Sequence, residues 1–317
     1  MKTKTTVASG KWQVARAFSR GFCLVTRHPS PVTRSAFTLI EVLVAVTLLS
    51  LIVVALMAVF NSTQAAFRAG VTQADILEGG RATMDLIAQD LKEMTPSDGV
   101  SNVSTGAVNF YVAVASSPGP LVQALTASSR SRTNVLETIF ILSRDNQTWT
   151  GTGYVVDTLA TASINPLYRF SPTDLPARPD PWQIYTNFIA NSALPISQNN
   201  TNMSHLMDGV VDFRVRAFDN NGHWMTNTLN FDGGQITTNK NVLFLPTAFG
   251  ETGFAMFSNT LPASVEIDMA TLEDRTLQRA ESLPAGRRTL YLQGQAGNVH
   301  VFRQSVSIPN VDPSAYQ

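Results

Sequence analysis

Cysteine is nearly absent from this chain: Cys23 is the only one in 317 residues. A lone thiol builds no intrachain disulfide framework and no cysteine-rich zinc site. Histidine is scarce too. His28, His205, His223 and His300 are the four, and none has a second histidine or cysteine at metal-ligand spacing. There is no Gly-x-Ser-x-Gly elbow and no phosphate-cradling glycine loop. These absences leave no catalytic constellation. The expectation is a non-enzymatic protein with no metal and no cofactor. Two further absences are local. Acid is missing from residues 1–36, and charge of either sign is missing between Glu41 and Arg68.

The formal charge balances at 23 basic and 23 acidic residues, but the balance hides an asymmetry. Lys2, Lys4, Lys11, Arg16, Arg20, Arg27 and Arg34 make the first 36 residues a basic leader of charge +7. Removing those seven leaves 16 basic residues against 23 acidic ones, a net of −7 for the rest. An acidic body disfavours nucleic-acid binding. From Val42 to Phe60 only Thr47 and Ser50 are even weakly polar. A run of about 20 apolar residues crosses a hydrocarbon core. A basic flank ahead of it keeps the N-terminus cytoplasmic. Glu41 sits at the edge of that run. A carboxylate in such a place is costly and implies a role with a partner. An ordinary secretory signal would instead be cut after the apolar segment.

The stretch Ala36-Phe37-Thr38-Leu39-Ile40-Glu41, with the leader before it and the apolar run behind it, resembles the prepilin family, the type IV pilins and pseudopilins. The resemblance implies cleavage by a prepilin peptidase between Ala36 and Phe37, then N-methylation of Phe37. Thr38, Leu39 and Ile40 are the motif residues that this enzyme recognises. Glu41 is the filament-assembly carboxylate, which pairs with the Phe37 amine of a neighbouring subunit. The bland alternative leaves Glu41 solvated among lipid headgroups. The family usually has glycine before the cut; Ala36 is the smallest replacement that carries a Cβ. Gly21-Phe22 is a decoy, since Thr26 stands where the acid should be.

Beyond the apolar run, Leu77, Met84, Ile87, Leu91 and Met94 form one helical stripe. Thr95-Pro96 and Ser97-Asp98-Gly99 stop it. Interior glycines at Gly70 and Gly79-Gly80 predict a kink or local melting. From residue 97 onward, alternation predicts strands at Ala107–Val114, Val135–Leu142, Gly153–Asp157, Val211–Ala217, Val265–Met269 and Phe302–Ile308. Gly151-Thr152-Gly153 reads as a turn before a strand. Asp145-Asn146 and Asp219-Asn220-Asn221-Gly222 read as hairpin turns; the latter lacks the spacing of a calcium loop. Glu273–Ser282 reads as a short helix closed by Leu283-Pro284. Ala115–Thr133 and Asp180–Met203 read as long loops. Arg214, Arg216, Glu266 and Asp268 read as a solvated outer face, and His223-Trp224 as either a partner contact or core.

The expected fold is α+β and pilin-like, a long N-terminal hydrophobic helix packed on an antiparallel β-sheet head. The expected domains are a cleaved leader at 1–36, a long helix at 37–96, transmembrane in its first half, and a periplasmic or extracellular β-rich head at 97–317. The strand Asp208–Ala217 is similar to the large J-type minor pseudopilin of type II secretion. The closing segment Val299–Val306 is similar to the Verru_Chthon cassette protein C family. The resemblance implies a minor pseudopilin that inserts in the inner membrane with its head periplasmic and joins other minor and major pseudopilins at a filament tip. Its expected partners are the prepilin peptidase, those pseudopilins and inner-membrane lipid. The alternative is a minor type IV pilin acting in adhesion or DNA uptake, which would carry a basic or aromatic patch. A membrane-anchored enzyme would need a cluster of polar residues in a deep pocket.

Overall fold

The computed structural model describes residues 37–97, 106–115, 119–125, 129–161, 163–173, 175, 179–197, 199–226 and 241–312. The leader, Cys23, His28, Gly21-Phe22, the Ala36 side of the expected cut and the Asp98-Gly99 turn lie outside the described residues. The chain divides into two compact units, residues 1–62 and 63–317. Helix α1, Leu39–Lys92, supplies residues to both.

In the second unit the chain continues through β1 (Val108–Val114), β2 (Val122–Ala124), β3 (Ser131–Thr133), β4 (Glu137–Asp145), β5 (Thr148–Val156), β6 (Leu167–Phe170), α2 (Pro181–Asn191), β7 (Met203–Met207) and β8 (Val210–Phe218). It closes with β9 (Val242–Ala248), β10 (Glu251–Phe257), β11 (Ser264–Leu272), α3 (Asp274–Glu281), α4 (Ala285–Gln293) and β12 (Val299–Ser307). One sheet has the strand order β7-β6-β5-β4-β1-β10-β9; a second has β12-β11-β8. The pairings within both are antiparallel. This is the α+β helix-and-sheet architecture expected from the sequence.

Alternation along the strands sends side chains to opposite faces. On the larger sheet, Phe110, Val112, Ile139 and Ile141 join Met84, Ile87 and Leu91 of α1, and Met94 just past its end, where the chain bridges to Ser143, in one core cluster. That is the predicted stripe, with Leu77 only half-buried. Val215, Ile267, Met269 and Val306 of the smaller sheet enter the same cluster. The opposite face of the larger sheet carries Val108, Phe140, Leu142 and Val155 against Ile184, Tyr185 and Phe188 of α2. The smaller sheet covers its other face with Ala280 of α3 and Leu292 of α4.

Several expectations need correction. Asp180–Met203 is not one long loop, because it contains α2. Asp180 is the N-cap and Pro181 falls in the first turn, where proline's missing N–H costs nothing. The Ala115–Thr133 loop holds the small β2–β3 ladder. Gly151-Thr152-Gly153 lies inside β5, not before it. A Cβ at Gly151 would sit 2.4 Å from Ile184 Cγ2, and one at Gly153 2.4 Å from Phe188 Cε2. These glycines clear the groove in which α2 lies. Helix α1 runs unbroken through Gly79-Gly80; local melting does not occur there. A Cβ at Gly80 would sit 2.2 Å from Phe302 Cζ, so that glycine makes room for an aromatic ring. Leu283-Pro284 closes α3 but opens α4, which the sequence reading did not anticipate.

Candidate functional site

The first turn of α1 begins at Thr38. The Glu41 N–H donates to the Thr38 carbonyl at 3.0 Å and to Thr38 Oγ1 at 3.3 Å, and the Val42 N–H donates to the same carbonyl at 3.2 Å. Thr-Leu-Ile-Glu has the spacing of a capping box, of which the threonine half is formed. Thr38 therefore has a structural task as well as a place in the motif: it holds Glu41 in the first helical turn. A carboxylate there meets the positive end of the helix dipole. Glu41 is exposed, and among the described residues it has no ion pair.

The apolar surface around it is equally bare. Phe37, Leu39 and Ile40 are 79%, 84% and 70% exposed. From Val42 to Phe60 no residue is buried. Thr47 Oγ1 donates to the Val44 carbonyl at 2.8 Å, and Ser50 Oγ donates to the Val46 carbonyl at 2.8 Å. Both hydroxyls are thus satisfied within the helix, and the surface they leave is apolar all round. α1 is long and apolar enough to cross a membrane. A helix with no polar face belongs in lipid or in a packed bundle of other helices.

The head carries chemistry that sequence reasoning missed. Asp90 is buried on α1. It accepts from Tyr154 Oη at 2.5 Å and from Arg169 Nε and Nη2, each at 2.9 Å. Burial, then the Asp90 charge, pushes the Tyr154 hydroxyl up from its ordinary value. Asp90 lies beside the hydrophobic stripe, and nothing in its neighbourhood in sequence pointed to Arg169. A second set of charges joins the two sheets. Asp212 accepts from the Val135 N–H at 2.6 Å, Arg132 Nη2 at 3.1 Å and Arg214 Nε at 2.9 Å. Glu251 accepts from Arg214 Nη1 at 3.3 Å and Arg216 Nη2 at 2.5 Å. Glu137, 2% exposed, accepts from the Val215 N–H at 2.5 Å. Burial is the main cause that raises the Glu137 pKa well above the usual carboxylate range, and Glu251 adds to it.

The predicted solvated face is therefore corrected for Arg214, Arg216 and Asp268, while Glu266 stays partly exposed. Arg214 and Arg216 are half-buried partners of Glu251 and, for Arg214, also of Asp212 and the Thr133 carbonyl. Asp268 is 8% exposed and chelated by Arg303, its partner across the β11–β12 ladder. Arg216 also lies 5.0 Å from the centroid of the Trp224 ring. Asp219-Asn220-Asn221-Gly222 is a turn: Asp219 Oδ1 accepts from the Asn221 and His223 N–H groups, and Gly222 has φ +80°. The Asp145-Asn146 hairpin forms as expected, with Asn146 at φ +52°. Among the described residues, no three His, Cys, Asp or Glu side chains are placed to hold a metal ion.

The family model for the prokaryotic N-terminal methylation motif matches residues 33–57. No curated protein matches the chain, and no solved structure does. The match takes in Thr38, Glu41 and the bare apolar helix described above. Over residues 33–57 the chain carries the N-terminal methylation motif that marks type IV pilin- and pseudopilin-like proteins, ahead of a helix-and-sheet head.

Proposed function

We propose that the protein is a filament-assembly subunit, a minor pseudopilin acting at the tip of a type II secretion pseudopilus or a related type IV pilus-like filament. The observation that carries this is the uncovered, uncharged surface from Val42 to Phe60 with Glu41 in its first turn. Lipid covers that surface before assembly, and the helices of neighbouring subunits cover it afterwards. Cleavage between Ala36 and Phe37 would leave the new amine only one residue ahead of the capping Thr38. Methylation of Phe37 keeps its positive charge. In the filament that amine pairs with Glu41 of an adjacent subunit and fixes register, which apolar packing alone leaves free to slide.

On this reading residues 1–36 are the leader, residues 37–96 the helix, and the remainder a periplasmic head. The prepilin peptidase and other minor and major pseudopilins are its partners. The test is the N-terminal mass of the protein extracted from membranes. A start at Phe37 with one added methyl group is expected. An intact Met1 start would overturn the assembly reading and make the helix a static anchor.

A further inference from the structure

The head carries a partly open cavity of about 260 Å³, lined by no residue of α1, on whose exposed apolar surface the assembly reading rests. Two of its lining residues carry buried oxygens with no hydrogen-bond partner among the described residues: Asn134 Oδ1 and Thr158 Oγ1. Asn134 is 1% exposed, and a relay fixes its orientation. The Leu292 carbonyl can only accept, so Gln123 turns Nε2 to it at 3.0 Å. Gln123 Oε1 must then accept, and it does so from Asn134 Nδ2 at 2.9 Å. Flipping Asn134 would set two oxygens against each other. Its Oδ1 is thus an obligate acceptor that needs a donor from elsewhere.

Two other lining residues supply different chemistry. Phe249 is 45% exposed and sits at φ +55° on the β9–β10 turn, next to Gly250 at φ +86°. A bulky residue is rarely held in that region of backbone space. Arg288, half-buried, donates Nε to the Ala280 carbonyl at 3.3 Å and forms no ion pair among the described residues. An apolar ligand would leave Asn134 Oδ1 unpaired. A sulfate dianion would bring it only acceptors, and a hydrogen phosphate, with its single O–H, would bring no apolar face for Phe249. A ring that carries both hydroxyls and C–H faces meets every requirement.

We propose that this cavity binds a single hexose-type sugar ring, free or at the end of a glycan. A ring hydroxyl donates to Asn134 Oδ1, another exchanges a hydrogen bond with Thr158, and the C–H face rests on Phe249, whose π-face is negative. A cavity on the order of 150 Å³ already holds one six-membered ring. The ligand is small and the contacts few, so a Kd of about 1 mM is expected.

The test uses the full-length protein in phospholipid nanodiscs, so that no glycoside detergent competes. Saturation-transfer NMR is run with methyl glycosides of glucose, galactose, mannose and N-acetylglucosamine, and with their linear oligosaccharides. Saturable binding of at least one methyl glycoside is expected. Phe249→Ala and Thr158→Val should each weaken it by at least about threefold; Phe249 is exposed and Thr158→Val conserves volume, so both variants spare the fold. Oligosaccharide binding equal to that of the monosaccharide supports a glycan-borne ring, and monosaccharide binding alone supports a free sugar. Absence of saturable binding across the panel overturns the proposal. So does binding that neither substitution changes.

Discussion

Asp90 offers the sharpest test of what holds α1 to the head. Its carboxylate gathers three donors: Tyr154 Oη and two guanidinium nitrogens of Arg169. The Asp90 side chain is 8% exposed and that of Arg169 22%. Breaking a buried pair from one side costs about 3–5 kcal/mol, because the surviving charge stays uncompensated. Asp90→Ala strands Arg169, which water can still reach, so its cost falls near the low end, about 3 kcal/mol. Arg169→Ala strands the more deeply buried carboxylate and should cost at least as much. The double variant leaves no orphan charge. Its cost should fall short of the sum by about 2 kcal/mol. The assay is urea unfolding of the full-length protein in detergent, followed by tryptophan fluorescence; Trp149 lies on β5, the strand that carries Tyr154. A loss of about 3 kcal/mol moves the midpoint by about 1–3 M urea. Additive single effects, with coupling below about 0.5 kcal/mol, would show that Asp90 and Arg169 do not act as a pair, and the argument from burial would fail.

Glu41→Ala should leave membrane insertion intact and block incorporation into a fibre, read by membrane fractionation and by pull-down of sheared filaments; wild-type incorporation of the variant sinks the pairing role. Glu137 has a folded-state pKa raised by burial, so its contribution to stability is largest below the unfolded value of about 4.3 and declines as pH climbs through the raised folded value. Glu137→Gln keeps an acceptor for the Val215 N–H without the charge. Its stability relative to the parent should therefore rise with pH over that window, and a pH-independent difference counts against a buried, protonation-linked carboxyl. Gly80→Ala should destabilise despite the helix propensity gain of about 1 kcal/mol, since its Cβ meets Phe302. In a Phe302→Ala background the sign should reverse, and thermal melts of the four proteins decide it.

What was legible in the sequence depends on how locally each feature is encoded. The apolar run and Glu41 are contiguous, so composition alone exposed them. The α1 stripe survived because Met84, Ile87 and Leu91 repeat on one helical face, and they and Met94, two residues past the helix end, are all buried. α2 was illegible for a specific reason: Asp180-Pro181 uses residues that also end structure, and only its position ahead of Ile184, Tyr185 and Phe188 turns proline into a first-turn residue. Gly151 and Gly153 looked like a turn because their purpose is space for α2, itself unseen. The ion pairs were the least legible. Asp90 and Arg169 stand on separate elements, as do Arg214 and Glu251, and a charge on a strand reads as solvated until its cross-sheet partner is known. The same distinction divides the functional readings. Assembly rests on a linear motif whose residues act within two turns of one helix. The sugar cavity is assembled from Asn134, Thr158, Phe249 and Arg288, which meet only after the head has folded. A linear motif can be carried by many heads, so the head's specificity has to be sought in surfaces and cavities of this second kind.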